Sequence, residues 1–200
     1  MNLFATTSPE LIDIHGGEIL YFKNFLSESE SRKYYQQLSE TLIWDQPCIT
    51  IRGKAVPIPR LQAWYGDEGT NYEYSGIKMR PNPWTRELEL LIHKVSSKTG
   101  HKFNSVLANW YQHGGHSIGW HADDEPELGI NPVIASVSLG EPRRLRFRSK
   151  DSDNTFHIEP ESGSLLIMQG EIQKNWQHEI SKTKKKVGGR ISLTFRNIQT

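Results

Sequence analysis

Hydrophobic residues at helical spacing mark two segments in the first half of the chain. The first begins with Ser27 and Glu30, an S-x-x-E pair typical of a capping box, and the predicted helix runs through about Leu42. In the second, Asn82-Pro83 supplies a cap followed by a first-turn proline, and Gly100 supplies the stop. The apolar positions of the second segment recur every three or four residues: Leu88, Leu91, Ile92 and Val95. Residues 1–26 are predicted to form an extended lead-in.

The period of the pattern changes to two from Phe103 onward, as expected for strands with one buried face. The strand-like stretches are 103–112, 118–123, 133–139, 144–148, 165–168, 176–180 and 190–198. No helical pattern interrupts them. Two helices followed by a run of short strands predict an α+β fold whose C-terminal half is an antiparallel sandwich or barrel, with a jelly roll as the natural candidate.

The length of the chain suits one compact domain. A chain of 200 residues can bury roughly 70% of its unfolded surface. Hydrophobic residues make up 36% of the sequence, and no segment repeats at a period typical of solenoids or propellers. We therefore expect a single domain over residues 1–200, with the helices in 27–102 and the strands in 103–198.

The sequence argues against a membrane protein and against a disulfide-stabilised one. Its apolar runs are far shorter than the ~20 residues that span a bilayer, and its N-terminus lacks a basic segment followed by an apolar one. Cys48 is the single cysteine, so no internal disulfide is possible. These features predict a reducing compartment, the cytoplasm or, in a eukaryote, the nucleus.

A formal net charge of +1 conceals two basic clusters, which are consistent with a polyanionic partner such as nucleic acid. The first cluster comprises Arg143, Arg144, Arg146, Arg148 and Lys150. The second comprises Lys182, Lys184, Lys185 and Lys186. The ordinary alternative for each cluster is a solvated face of the protein.

A candidate metal site is indicated by His121 and Asp123, which lie two apart on a predicted strand and so point to one face. His178 could complete the set. Two imidazoles and one carboxylate leave half of an octahedron open, which suits an Fe(II) ion that binds a co-substrate and O2 together. An isolated HxD pair is weak support, since it also occurs on ordinary surface strands. His113 and His116 flank a Gly-Gly pair and could compete as ligands, but we expect them to be structural.

The last predicted strand places four polar residues on one face, opposite an apolar face formed by Ile191, Leu193 and Phe195. The polar set is Arg190, Ser192, Thr194 and Arg196. Two arginines facing a barrel interior would suit a small dicarboxylate, because guanidinium binds carboxylate through two hydrogen bonds. Their Cα atoms would be about 20 Å apart, so the two side chains must lean together. The alternative for this polar face is a solvated surface. Asn109 and Tyr111 likewise present hydrogen-bonding groups on one face, a pattern that by itself is ordinary strand composition.

Taken together, these motifs resemble the AlkB family of Fe(II)/2-oxoglutarate dioxygenases, and in particular its nucleic-acid dealkylases. The resemblance rests on the order and spacing of NWY at 109–111, HADDE at 121–125, the distal His178 and RISLTFR at 190–196. It extends from about Trp44 to Ile198 through further segments, including PRLQAWYGDEG, YEYSG, IASVSLG and GSLLIM.

The resemblance implies a double-stranded β-helix, a jelly-roll variant, in which His121, Asp123 and His178 bind iron. It implies that the remote carboxylate of 2-oxoglutarate is held by Arg190, Ser192 and Tyr111. The iron-chelating end of 2-oxoglutarate would be neutralised by Arg196 and Asn109. Thr194 also belongs to the implied co-substrate site. Which arginine takes which end stays open. The implied reaction couples 2-oxoglutarate and O2 to succinate, CO2 and release of a base N-methyl group as formaldehyde.

The resemblance also implies a nucleotide-recognition lid within residues 27–102, around the aromatic-rich stretch 49–74, which would handle a flipped base. The implied substrate contacts are Arg52, Tyr72, Tyr74, Ser75, Asp124 and Glu125. Members of the family that work on duplex DNA can carry an aromatic wedge at the hairpin tip, where this chain has Arg52. Single-stranded substrates therefore gain support, although arginine can still stack on bases or bind phosphate.

The expected function is repair of alkylated DNA, for example of 1-methyladenine and 3-methylcytosine, by a monomer. RNA demethylation is the nearest alternative. A 2-oxoglutarate-dependent hydroxylase of a protein or a small molecule would share the metal set but would not need the aromatic hairpin or the basic clusters. A jelly-roll module that binds nucleic acid without catalysis is a further alternative, since a fold alone does not determine function.

Overall fold

Both predicted helices are present in the computed structural model, which describes residues 8–51, 53–74 and 77–199. Helix α1 spans Glu28–Thr41, and Ser27 and Glu30 form the predicted capping box. Helix α2 spans Arg86–Thr99 and is closed by Gly100 in the left-handed conformation, with φ of 74°. Glycine adopts this conformation without a steric penalty, which explains the stop at this residue.

The start of α2 differs from the prediction. Its N-cap is Thr85, whose side chain accepts a hydrogen bond from the backbone N–H of Leu88. Asn82 instead donates its side-chain amide to the carbonyl oxygen of Trp64 at 3.0 Å. Two polar residues precede this helix, and tertiary contact with a strand engages the first of them, so the second becomes the cap.

Seven antiparallel strands form the larger sheet, in the order β1-β2-β13-β10-β15-β8-β5. Their bounds are β1 Glu10–Ile14, β2 Gly17–Phe22, β5 Leu61–Gly66, β8 Ser105–Tyr111, β10 Ile134–Gly140, β13 Leu165–Gly170 and β15 Arg190–Arg196. Four antiparallel strands form the smaller sheet, in the order β12-β11-β14-β9. Their bounds are β9 Ile118–His121, β11 Leu145–Ser149, β12 Thr155–Ile158 and β14 Trp176–Ile180.

Two hairpins stand apart from these sheets. One pairs β3 (Cys48–Ile51) with β4 (Lys54–Pro57), and the other pairs β6 (Tyr72–Tyr74) with β7 (Ile77–Met79). The first lies at the start of the aromatic-rich stretch 49–74, and its turn contains Gly53, which has a φ of 77°. The architecture is therefore the predicted α+β class, with helices on one side of antiparallel sheets.

Three features of the fold depart from the predicted elements. The N-terminal lead-in is a hairpin, β1–β2, which extends the larger sheet by pairing with β13. Strand β12 was missed because its residues are exposed or only half-buried, so its alternation is weak. A 3-10 helix at Pro126–Leu128 and the four-residue helix α3 at Ile172–Asn175 interrupt a region predicted to lack helices.

The apolar core has two parts, one on each face of the larger sheet. Between this sheet and the helices lie Leu88 and Leu91 of α2 with Leu193 and Phe195 of β15, all essentially inaccessible to solvent. The second part fills the space between the two sheets and includes Phe147. The two faces of β15 carry the residues predicted for them: the apolar face is directed at the helices, and the polar face is directed at the interior between the sheets. None of the described helices is long and apolar enough to cross a membrane.

Candidate functional site

The three residues proposed as metal ligands converge on one point. His121 ends β9 and is paired directly with His178 of β14, so the two rings lie with centroids 4.3 Å apart. Asp123 follows β9 by two residues, and one potential ligand atom from each residue lies within 4.8 Å of the others. Among the described residues, no other group of three His, Cys, Asp or Glu residues has this geometry.

The charge of Asp123 is compensated by an arginine from the other sheet. Asp123 is 1% exposed, and its Oδ1 accepts a hydrogen bond from Nη2 of Arg196 at 2.6 Å. Burial alone would raise the pKa of Asp123, but the charge of Arg196 and the neighbouring imidazoles outweigh it and hold this pKa well below its usual range. The carboxylate is therefore ionised at neutral pH and available to a cation.

Both histidines are neutral at neutral pH, which leaves a nitrogen lone pair on each. Burial, the largest influence, lowers the pKa of His178 to about 3, and burial also lowers the pKa of His121. Nδ1 of His121 lies 2.8 Å from the carbonyl oxygen of Gly119. A proton on Nδ1 satisfies this contact and leaves Nε2 as the ligand atom.

A second layer of contacts holds the loop that carries Asp123. Gln173 of α3 accepts a hydrogen bond from the backbone N–H of Asp123 at 2.9 Å. Lys150 donates to the carbonyl oxygen of Gln173 at 2.9 Å and to the carboxylate of Asp124 at 3.3 Å. Because α3 directly precedes β14, these contacts connect the loop of Asp123 to the segment that carries His178. Sequence analysis did not identify Gln173, since no local pattern distinguishes it.

Arg190 lies in the same cavity with part of its guanidinium unused. It is 2% exposed, donates Nη2 to Ser138 and Ser192 at 2.9 and 3.4 Å, and lies 5.7 Å from the centroid of the Tyr111 ring. Within the part of the chain that the structure describes, its Nε and Nη1 are buried without a hydrogen-bond partner. Burial lowers the pKa of Arg190 to about 10, so the side chain still carries a full charge at neutral pH that no described carboxylate neutralises.

All the polar residues predicted on one face of β15 line a single cavity together with the metal-site residues, Asn109 and Tyr111. The alternative of a solvated face is therefore wrong. One partner was missed: Arg60, which is 3% exposed, donates its Nε to Oδ1 of Asn109 at 2.7 Å. Two imidazoles with a carboxylate fit a divalent metal such as Fe(II), and an unpaired guanidinium nearby fits an anionic co-substrate.

The predicted substrate contacts are described only in part. Arg52 and Ser75 lie outside the described residues, as do the side chains of Tyr72 and Tyr74, whose backbone forms β6. Asp124 is exposed and bonded to Lys150. Glu125 precedes the 3-10 helix and is partly buried.

His113 and His116 contact each other in the loop after β8, with ring centroids 4.1 Å apart and the ring planes tilted by 50°. Each accepts a backbone hydrogen bond within that loop, at 3.1 Å from Gly115 and at 3.2 Å from Gln112. No third ligand joins them among the described residues. These contacts agree with the structural role expected for both.

Comparisons with known proteins agree with the geometry. Residues 18–196 match the family model described as the 2OG-Fe(II) oxygenase superfamily. The rat protein named alpha-ketoglutarate-dependent dioxygenase alkB homolog 3 is 35% identical over 97% of this chain and 72% of its own length. The human DNA oxidative demethylase ALKBH2 is 37% identical over 86% of this chain and 70% of its own length. The solved structure of OsALKBH1 is similar in fold, with a TM-score of 0.70 at 18% identity over 94% of this chain and 100% of that one.

Removal of one imidazole should abolish tight metal binding. We expect His178→Ala to weaken binding of Co(II) or anaerobic Fe(II) by more than the roughly 10- to 100-fold typical of residues that only support a ligand. Isothermal titration calorimetry measures this affinity. His157→Ala is the matched control, since His157 is exposed on β12, and it should leave the affinity unchanged. Equal affinities for both variants would contradict the assignment of His178 as a ligand.

Proposed function

This chain belongs to the 2OG-Fe(II) oxygenase superfamily, and on that premise we propose that it oxidatively removes alkyl groups from N-alkylated bases in nucleic acid. The reaction consumes 2-oxoglutarate and O2 and yields succinate, CO2 and, from a methyl group, formaldehyde. The single observation that carries the proposal is the cavity that combines a neutral His121–His178 pair, an ionised Asp123 and the partly unpaired Arg190. The name of one relative, the human DNA oxidative demethylase ALKBH2, supports nucleic acid as the substrate.

The roles of the residues follow from their contacts. His121, Asp123 and His178 would hold Fe(II), which together with 2-oxoglutarate and O2 supplies the oxidation of the N-alkyl carbon. Arg196 keeps the Asp123 carboxylate ionised, and the Gly119 carbonyl orients the ring of His121. The protein itself needs no nucleophile, so its task is to position the substrate and to exclude water.

We assign the remote carboxylate of 2-oxoglutarate to Arg190, Ser192 and Tyr111. Arg190 supports this assignment because its Nε and Nη1 lack partners and are buried, whereas Arg196 is already paired with Asp123. Arg196 and Asn109, with Thr194 beside them, would then flank the end that chelates the metal. The substrate contacts proposed are those expected from the sequence: Arg52, Tyr72, Tyr74, Ser75, Asp124 and Glu125.

The domain is proposed to be a double-stranded β-helix over residues 103–198, supported by helices and a nucleotide-recognition lid within residues 27–102. The order of β13, β10, β15 and β8 in one sheet and of β12, β11, β14 and β9 in the other supports this topology. Except for β11 and β12, the strands that are neighbours in these two sets are not consecutive in the sequence, which is the arrangement expected of a jelly roll. The two separate hairpins are the candidates for the lid.

The second basic cluster is the better candidate for binding phosphate. In the first cluster, Arg146 pairs with Glu179 at 2.7 Å, Arg144 with Glu159 at 3.0 Å and Lys150 with Asp124 at 3.3 Å. Lys182, Lys184, Lys185 and Lys186 have no ion pair among the described residues. Their charge is therefore available to a polyanion.

Alkylated DNA is the proposed substrate, acted on by a monomer in the cytoplasm or a nucleus.

A panel of lesions tests the function. The protein would be incubated with Fe(II), 2-oxoglutarate, ascorbate and methylated DNA or RNA, single- and double-stranded, and bases and succinate would be quantified by mass spectrometry. We expect loss of methyl from 1-methyladenine and 3-methylcytosine in step with succinate formation, and neither with His121→Ala. Succinate formed without demethylation of any base would favour a hydroxylase of another substrate class.

Arg190 can be tested through co-substrate binding alone. In the Mn(II)-loaded protein, Arg190→Met should weaken 2-oxoglutarate binding about tenfold or more, because a hydrogen-bonded charge pair is lost. Arg190→Lys should retain part of the affinity, since it keeps the charge without the planar fork. Calorimetry measures both. An Arg190→Met variant that binds 2-oxoglutarate normally would remove this residue from the site.

The second basic cluster predicts a measurable dependence of nucleic-acid affinity on salt concentration. If the three lysines at 184–186 neutralise phosphates of single-stranded DNA, their joint change to Ala should flatten the plot of log affinity against log salt by up to about 0.7 per lysine. Fluorescence anisotropy measures this slope. Changing Lys33, Lys98 and Lys102 to Ala is a control with equal loss of charge. Equal slopes in the two triple variants would exclude this cluster from the interface.

A further inference from the structure

The side-chain amide of Gln62 is buried next to the cavity that contains His121, Asp123 and His178, and its oxygen has no hydrogen-bond partner among the described residues. Gln62 lies on β5 and is 3% exposed. Its Nε2 is 3.3 Å from the sulfur of Met79, to which it donates, and its Oε1 is buried and has no hydrogen-bond partner among the described residues. The sulfur of Met79 accepts only the amide nitrogen, so this contact fixes which way the amide faces.

An unpaired buried acceptor destabilises a protein, because the group loses its hydrogen bonds to water and gains none in return. An apolar side chain of similar size, such as leucine, would avoid that cost at this position. Native structures contain few such groups, and the exceptions call for a physical explanation. A donor supplied by a ligand is one such explanation.

The register of the sheet places Gln62 beside the catalytic cavity. Gln62 is paired directly with Asn109 of β8, so the two side chains share one face of the sheet. Asn109 lines the cavity together with His121 and Asp123. Arg60, two residues before Gln62, donates to Asn109 at 2.7 Å on the same face. Met79 belongs to the β6–β7 hairpin, so Gln62 lies between the cavity and a candidate lid.

We propose that Oε1 of Gln62 accepts a hydrogen bond from the exocyclic amino group of the alkylated base and thereby determines which lesions the enzyme prefers. This inference rests on the proposed function. In 1-methyladenine and 3-methylcytosine an amino group is attached to a carbon next to the methylated ring nitrogen. When the methyl group points at the metal, that amino group is directed to one side of it. N-methylation also makes these bases cationic, which strengthens the amino group as a donor.

A base without this amino group gives the opposite interaction. In 3-methylthymine both carbons next to the methylated nitrogen carry carbonyl oxygens. A carbonyl oxygen facing Oε1 of Gln62 makes no hydrogen bond and repels it, and Oε1 stays unpaired. A site with a buried polar group discriminates strongly against a ligand that leaves the group unpaired. Gln62 therefore predicts a preference for amino-bearing lesions over 3-methylthymine.

The test compares Gln62→Leu with wild type on oligonucleotides that differ only in the lesion. We expect kcat/KM for 1-methyladenine and 3-methylcytosine to fall about tenfold or more, the loss that corresponds to one hydrogen bond to a charged donor. Activity on 3-methylthymine should stay the same or rise. Affinities measured by anisotropy with Mn(II) in place of Fe(II), where no turnover occurs, should show the same lesion-dependent loss.

Two further variants separate recognition from structure. Gln62→Glu keeps an acceptor at the same place and should retain the preference for amino-bearing lesions. Gln46→Leu changes a nearby exposed glutamine, which bonds to the carbonyl of Ile58 at 2.9 Å, and should leave the preference unchanged. The Tm of Gln62→Leu should equal or exceed that of wild type, because an unpaired buried group has been replaced by an apolar one.

The outcomes are distinguishable from failure of the proposed function. If wild type demethylates none of the three bases, the proposed function itself is wrong. If wild type is active and Gln62→Leu lowers activity and affinity equally for all three lesions, or leaves all unchanged, Gln62 does not read the amino group and the inference is overturned.

Discussion

The buried ion pair between Asp123 and Arg196 is the interaction on which the rest of the site depends. It joins the loop after β9, in the smaller sheet, to the end of β15, in the larger sheet, with both side chains almost fully buried. Loss of one partner from such a pair typically costs about 3–5 kcal/mol, because an uncompensated charge is left inside the protein. The same contact keeps Asp123 ionised. The ion pair that connects the two sheets therefore also keeps the carboxylate of Asp123 in the charged form that binds a metal ion.

The two arginines of β15 perform different tasks because their surroundings differ. The charge of Arg196 is compensated within the protein by the carboxylate of Asp123. Arg190 lies among neutral hydroxyl groups and the ring of Tyr111, with two nitrogen atoms unused. Strand β15 therefore carries an arginine that is paired with a carboxylate at one end, Arg196, and an arginine that no described carboxylate neutralises at the other, Arg190. This asymmetry is consistent with the proposed separation of the metal ligands from the residues that bind 2-oxoglutarate.

Polar groups without partners connect the fold with the chemistry elsewhere in the cavity. The nitrogen atoms of Arg190 and the amide oxygen of Gln62 each reduce the stability of the free protein. A protein retains such destabilising groups where a bound ligand supplies the missing hydrogen bonds, which agrees with the proposed binding of a co-substrate and a base. On the outer surface, Arg144 and Arg146 are each paired with a glutamate, whereas the second basic cluster has no ion pair among the described residues. Available charge therefore depends on local pairing, not on the number of basic residues.

The sequence by itself determined the features that depend on interactions between residues close together in the chain. The capping box at Ser27, the apolar stripe of α2, the HxD spacing of His121 and Asp123 and the alternation along β15 all depend on neighbours within a few residues, so period and spacing predicted them. Tertiary structure alone decided the direct pairing of His121 with His178, the addition of β1 and β2 to the larger sheet and the choice of Thr85 as the cap of α2. It also decided which charges are compensated and which residues Arg60, Gln62 and Gln173 contact. These depend on strand register and on contacts between residues far apart in the sequence, and a one-dimensional pattern does not encode which distant atoms meet.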